Sequence, residues 1–119
     1  MQTFRFLDFE VYKSAKLLNK EIMKFAKDLP REFASLADQI RRSSLSVVLN
    51  VAEGSAKSSD KDFNRFLENS LGSVNETVAG LDVALDHGLI TEIKFKELLL
   101  LSESVAKQLG GFSKKLKNG

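Results

Sequence analysis

Lysines near the start of the chain recur at intervals of three or four residues. They are Lys13, Lys16, Lys20, Lys24 and Lys27. On a helix, at about 100° per residue, they fall within an arc of roughly 80° and form a lysine strip. Such a row can follow a nucleic-acid phosphate backbone. Glu10, Glu21 and Asp28 lie beside it, so an ordinary solvated face is the alternative, favoured for an isolated monomer. A symmetric oligomer would repeat the strip and strengthen its field.

The C-terminal stretch is also basic. After Glu103 it contains no acidic residue, and it ends with Lys114, Lys115 and Lys117. Lysines suit the negative end of a helix dipole, and they could equally form a cationic tail. We group these three with the lysine strip as candidate nucleic-acid-binding residues.

Residues for catalysis or metal binding are scarce. The chain has no cysteine and a single histidine, His87. A di-iron site in a helical bundle needs Glu-x-x-His pairs, and Ala84 stands where the glutamate would be. We therefore expect no catalytic residues, metal or cofactor, and we interpret His87 as a solvent-facing residue at a helix end.

Polar and small residues line one side of the second and third predicted helices. They are Gln39, Arg42, Ser46, Asn50 and Glu53, followed by Arg65, Gly72, Ser73 and Glu76. Glycine inside a helix costs about 1 kcal/mol relative to alanine and so indicates a packing reason. We predict a close helix contact here, within the bundle or between subunits. Arg42 and Arg65 could pair across it with Glu53 or Glu76, and we favour this polar seam over a ligand site.

Helix boundaries are predicted from the proline, glycine and capping residues along the chain. Pro30 should end the first helix, Gly54 reads as a C-terminal cap before a loop, and Gly88 ends the third helix. Ser59 and Thr91 are predicted N-caps. The pattern predicts four helices at about 8–28, 31–53, 60–87 and 91–117, forming an antiparallel up-and-down four-helix bundle in a single domain of residues 1–119.

The second helix has more apolar surface than one bundle needs. The others show a single apolar stripe at three-and-four spacing. The second has a main apolar face and, turned away from it, Leu45, Leu49 and Ala52. One side can pack on its own bundle, and the other could pack on a second subunit.

Overall composition is that of a small globular protein. The chain has 119 residues, 43% hydrophobic and 29% charged, with a formal net charge of +2, which is too small to imply a nucleic-acid partner by itself. We read no signal peptide and no membrane span, so we expect no membrane partner. The lack of cysteine fits the cytoplasm.

Several segments resemble the 23S rRNA intervening-sequence protein family. They are residues 39–54 (QIRRSSLSVVLNVAEG), residues 61–67 (KDFNRFL), the Gly72-Ser73-x-x-Glu76 pattern, and the opening Phe6-x-x-Phe9-x-Val11-Tyr12. The resemblance spans nearly the whole chain. It implies a bacterial cytoplasmic protein whose monomer is an antiparallel four-helix bundle and which assembles as a homopentameric barrel. The similar accessory protein of diversity-generating retroelements associates with a reverse transcriptase and with nucleic acid.

The chain departs from the family pattern at a few places. Ser43 and Ser44 stand where alanines are usual, and Val48-Leu49 where Ile-Pro is common. The missing proline should leave the second helix straighter. Only Lys57 represents the basic residue usual after Gly54, which weakens any anion site at that loop.

Two main functional hypotheses follow. The first is a non-enzymatic homo-oligomeric scaffold, pentameric by resemblance, that binds RNA or DNA. The second is an adaptor that binds a partner enzyme such as a reverse transcriptase without binding nucleic acid, with Leu99 and Leu100 as candidate contacts. A small-molecule or metal enzyme is a third, weaker hypothesis.

Overall fold

Four long α-helices make up the computed structural model, which describes residues 3–118. They are α1 (Glu10–Lys27), α2 (Ala34–Ser55), α3 (Asp60–Asp86) and α4 (Glu92–Asn118). Short 3-10 helices at Arg5–Asp8 and Arg31–Phe33 precede α1 and α2. No strand occurs in the described part of the chain, so the all-α prediction is confirmed. Met1, Gln2 and Gly119, which belong to the predicted 1–119 domain, lie outside the described residues.

The N-terminal caps of α3 and α4 follow the local sequence. The Ser59 hydroxyl accepts a hydrogen bond from the Asp62 backbone N–H at 3.1 Å, and the Thr91 hydroxyl accepts one from that of Lys94 at 3.1 Å. Each cap satisfies a backbone donor that has no partner inside the helix. Both predicted N-caps are confirmed.

The end of α3 is closed by Gly88, as predicted. Gly88 adopts a φ of +68°, the left-handed conformation that glycine tolerates best. The Leu89 N–H reaches back to the Ala84 carbonyl at 3.0 Å, and the Gly88 N–H reaches the Leu85 carbonyl at 3.0 Å. This pair of bonds is a Schellman motif, which satisfies the last carbonyls of a helix.

Gly54 has a different role from the predicted one. It lies inside α2, which continues to Ser55, and it is buried. A Cβ atom added at Gly54 would lie 2.7 Å from Phe66 Cβ and 2.9 Å from Phe63 Cδ1. The glycine is therefore required by the close approach of α3 to the end of α2, and its backbone makes no left-handed turn.

The helices enclose one core. α2 packs against α1 and α3, and α4 packs against α3 and α1. The largest fully buried side chains are Phe63, Leu18, Ile22, Ile40, Leu67, Leu81, Leu98, Leu109, Val47, Val51, Val74 and Val105. Every helix contributes to this set, so the main apolar stripes meet as expected. No helix among the described residues has the length and apolar character needed to cross a membrane.

An aromatic cluster closes one end of the core. Phe112 lies edge-on to Phe9 and Phe63, with ring centroids 5.2 and 5.1 Å away. Arg5 donates two hydrogen bonds to the Ser55 carbonyl, at 3.2 and 3.0 Å, and its guanidinium lies over the rings of Phe9 and Phe63. Arg5 thus anchors the segment before α1 to the last turn of α2.

Candidate nucleic-acid interface

The lysine strip occupies the outer surface of α1. Lys13, Lys16, Lys20, Lys24 and Lys27 are all exposed. The opposite side of α1 carries its buried residues, including Leu18 and Ile22. The core thus sets the direction of the strip, because burial of the apolar face of an amphipathic helix turns its polar face outward.

Acidic neighbours engage two of the strip lysines. Lys13 Nζ lies 3.7 Å from Glu10 Oε1, and Lys24 Nζ lies 3.3 Å from Glu21 Oε2. Lys94 of α4 also reaches Glu21, at 3.5 Å. The hydrogen bond from Lys24 and the positive charges of Lys24 and Lys94 lower the pKa of Glu21, against a smaller opposing effect of desolvation. Glu21 is therefore ionised at neutral pH and offsets positive charge at this end of the strip.

The remaining strip lysines are available to a ligand. Lys16, Lys20 and Lys27 form no ion pair with any residue of the described chain. Lys16 Nζ lies 5.0 Å from the centroid of the Tyr12 ring, a cation–π contact that leaves the charge in place. These three lysines are the most favourable positions for phosphate contacts.

The position of Glu21 beside the lysine strip leads to a prediction about nucleic-acid affinity. Replacing Glu21 with glutamine removes one negative charge and frees Lys24, whereas Lys94 keeps its 3.5 Å contact with Glu97. If the strip binds nucleic acid, Glu21→Gln should tighten binding about two- to fivefold and make it more salt-dependent. Fluorescence anisotropy with a labelled RNA or DNA at several salt concentrations measures both quantities. Unchanged or weaker binding would show that Glu21 does not oppose a ligand on α1.

The C-terminal lysines do not form a single surface with the strip. Lys114, Lys115 and Lys117 are all exposed. Lys117 faces α3, with its Nζ 3.8 Å from Glu68 Oε1. Lys115 lines a cavity on the α1 side together with Glu10. Lys115 is therefore brought towards the end of the strip occupied by Lys13, whereas Lys117 is directed to α3.

Sequence reasoning missed Lys94 as part of the strip. It lies about seventy residues after Lys24 in the chain, yet both lysines contact Glu21. No local spacing rule pairs positions on helices so far apart, and the packing of α4 on α1 creates the contact.

The polar seam between α2 and α3 contains several hydrogen bonds. Gln39 Nε2 donates to Glu76 Oε2 at 2.6 Å, and Ser73 Oγ donates to Ser46 Oγ at 2.8 Å. Asn50 Nδ2 donates to the same Ser46 hydroxyl at 2.9 Å. The Gln39–Glu76 and Ser73–Ser46 hydrogen bonds join α2 to α3, whereas the Asn50–Ser46 bond lies within α2 and orients the Ser46 hydroxyl.

Arginines of the seam are placed differently from the predicted ion pairs. Arg65 contacts Asp62 of its own helix, at 3.9 Å. Arg42 and Glu53 are exposed, and neither forms an ion pair with another described residue. The pairing of Arg42 or Arg65 with Glu53 or Glu76 is therefore absent among residues 3–118, because hydroxyl and amide groups fill the contact.

The glycines of α3 have different surroundings. An added Cβ at Gly80 would overlap Cγ2 of Ile40, whereas one at Gly72 would meet no heavy atom within 4 Å. Close approach within the chain therefore explains Gly80 but not Gly72. The monomer supplies no packing reason for Gly72.

Buried hydroxyls extend the seam into the core. Ser43 and Thr77 share a 2.7 Å hydrogen bond, and Ser70 donates to the Val47 carbonyl at 2.7 Å. Sequence reasoning did not assign these residues to the seam. The sequence pattern could have predicted these contacts, because Ser43, Ser70 and Thr77 occupy positions on the apolar faces of α2 and α3, where a buried hydroxyl needs a hydrogen-bond partner.

Two further cations surround Phe66 near the α2–α3 connection. Lys57 Nζ and Arg65 Cζ each lie 4.9 Å from the centroid of the Phe66 ring.

His87 is exposed beside the Gly88 cap, as predicted, and its ring lies 5.3 Å from that of Phe33.

The structure defines a small all-α protein of four helices, with an exposed lysine strip and a hydrogen-bonded α2–α3 contact. The chain belongs to the 23S rRNA-intervening sequence protein family, which matches residues 7–111. It is similar to a protein of unknown function from the S23 ribosomal protein family of Bacteroides thetaiotaomicron VPI-5482, with 25% identity and a TM-score of 0.82 over 87% of this chain and 98% of that one. No protein with a curated description matches it.

Proposed function

We propose that this chain is a non-enzymatic, homo-oligomeric scaffold that binds RNA or DNA through the lysine strip of α1. The observation that carries the proposal is the set of exposed lysines that form no ion pair with an acidic residue among residues 3–118, namely Lys16, Lys20 and Lys27. Cations free of local partners release counterions from a phosphate backbone when they bind it.

The assembly we propose is a ring of five antiparallel up-and-down bundles in the bacterial cytoplasm. Contacts near both ends of α1 support the antiparallel monomer: Gln108 Nε2 donates to Ser14 Oγ at 2.9 Å, and Lys94 lies 3.5 Å from Glu21. The five copies follow the family resemblance. A ring would present five lysine strips, so a single nucleic-acid strand could contact several subunits at once.

Salt dependence of binding tests the proposal directly. Wild-type protein should bind a labelled RNA or DNA oligonucleotide, and the logarithm of the association constant should fall linearly with the logarithm of salt concentration. About three phosphate contacts per strip predict a slope of roughly −2 to −3. Absence of salt-dependent binding to single- and double-stranded forms of both nucleic acids would refute the nucleic-acid-binding role.

A second candidate function is that of an adaptor for a partner enzyme. The observation that favours it is exposed apolar surface on α1 and α4: Leu17 is 47% exposed, Leu100 66% and Ile93 75%. Of the predicted contacts, Leu100 is exposed and Leu99 is half-buried. Binding through these residues would depend on apolar area and change little with salt, which separates it from nucleic-acid binding.

A further inference from the structure

A group of aromatic side chains lies at the surface where the chain enters α1. Phe4 is 59% exposed, and it is the one phenylalanine or tyrosine of residues 3–118 that is exposed, the others being buried or half-buried. Its ring centroid lies 6.2 Å from that of Phe6, which in turn lies 4.9 Å from that of Tyr12. Aromatic rings that contact one another at a surface rimmed by charged residues indicate a binding site.

The backbone around Phe4 is already ordered. The Leu7 N–H donates a hydrogen bond to the Phe4 carbonyl at 3.1 Å, within the first 3-10 helix. The next residue, Arg5, is bonded to the Ser55 carbonyl at the end of α2. Because the bundle holds this segment, a ligand that stacks on Phe4 has little backbone freedom to remove.

The aromatic surface is continuous with the lysine strip. Tyr12 and Lys16 are one turn apart on α1 and differ by about 40° around its axis. The Lys16 ammonium lies 5.0 Å from the centroid of the Tyr12 ring, so contacts run without a break from Phe4 to the strip. Rings beside a row of cations are the components of surfaces that bind single-stranded nucleic acid, where bases stack on the rings and phosphates meet the cations.

The chemistry of the surface distinguishes unpaired bases from paired ones. In a duplex each base is stacked between its neighbours, whereas an unpaired base presents a free face to a protein ring. An apolar protein surface could cover the rings, but it would leave the charges of the adjacent lysines unmatched. The combination of rings and cations therefore favours a single strand as the ligand.

We infer that this chain selects single-stranded nucleic acid by stacking an unpaired base on Phe4, beside Phe6 and Tyr12, while the neighbouring phosphates contact the lysine strip. The inference rests on the proposed nucleic-acid-binding role and adds the form of the ligand. Every base has a stacking face, so the contact carries little sequence preference, and RNA and DNA both supply it.

Removal of the Phe4 ring provides the test. Phe4→Ala should weaken binding to an unstructured single-stranded oligonucleotide about tenfold, and it should leave binding to a duplex of the same length unchanged. The ring carries no charge, so the salt dependence of single-strand binding should stay that of the wild type. Fluorescence anisotropy with labelled oligonucleotides measures all three quantities.

Leu7→Ala is the matched control. Leu7 belongs to the same 3-10 helix and is 43% exposed, but its side chain has no ring. The substitution should change the affinity for either form less than about twofold. Phe4 and Leu7 are both exposed, so circular dichroism should show the same helix content for both variants.

Phe4→Trp supplies a direct signal of stacking. The chain contains no tryptophan, so the introduced indole is the single source of tryptophan fluorescence. Its emission should be quenched when a single strand binds and should stay unchanged when the duplex binds, while the affinity for single strands stays at or above that of the wild type.

The outcomes separate stacking from the broader proposal. A wild type that binds neither form would refute both. Salt-dependent binding that Phe4→Ala leaves unchanged would overturn the stacking contact, while the role of the lysine strip stands. Equal losses for single strands and duplex, an equal loss from Leu7→Ala, or emission that single strands do not quench would also overturn it.

Discussion

Reversal of Lys16, Lys20 and Lys27 to glutamate is expected to abolish binding to RNA and DNA. These lysines are exposed and have no ion-pair partner in the described chain, so each can contact a phosphate directly. The triple variant replaces three attractive contacts with three repulsive ones. We expect a loss in affinity of about a thousandfold or more at low salt, together with loss of the salt slope.

The control for this variant changes net charge equally at other positions. Lys61, Lys96 and Lys107 lie on α3 and α4 and are all exposed, so their reversal to glutamate alters the overall field by the same amount. This control should retain most of the binding measured by fluorescence anisotropy. Equal loss from both triple variants would show that net charge, and not the lysine strip, determines binding.

Replacement of Gly54 by alanine is expected to destabilise the fold by about 2 to 3 kcal/mol, in the upper part of the range of about 1 to 3 kcal/mol for overpacking of a well-packed core. The added methyl group would lie 2.7 Å from Phe66 Cβ. A Cβ atom moves only with its backbone, so α2 and α3 would have to separate. The cost exceeds the gain of up to about 1 kcal/mol that alanine brings to a helix. Urea denaturation followed by circular dichroism measures the change.

Gly72 supplies the matched comparison. It also lies within a helix, but an added Cβ meets nothing within 4 Å. Gly72→Ala should therefore stabilise the monomer by about 0.5 to 1 kcal/mol through helix propensity alone. A destabilised Gly72→Ala, or a Gly54→Ala as stable as wild type, would contradict the packing assigned to the α2–α3 contact.

Local rules predicted the four helices and several of their ends, although the cap predicted at Gly54 was wrong. The apolar stripes predicted four helices, since a helix repeats every 3.6 residues and its buried positions recur at that interval. Ser59, Thr91 and Gly88 marked helix ends because capping depends on backbone groups only a few residues away. The exposure of the lysine strip followed from the same periodicity.

Tertiary packing determined the contacts between helices. Gly54 and Gly72 both lie inside helices in the structure, yet of the two only Gly54 closely approaches another helix. Glu21 joins Lys24 to Lys94 because α4 packs against α1. Distances between helices arise from the filling of a shared core, and no spacing within one helix encodes them. The sequence by itself therefore determined the elements, the outward direction of the lysines and the local pairs of Lys13 with Glu10 and Lys24 with Glu21. The tertiary structure brought Lys94 to Glu21 and placed Gly54 against α3.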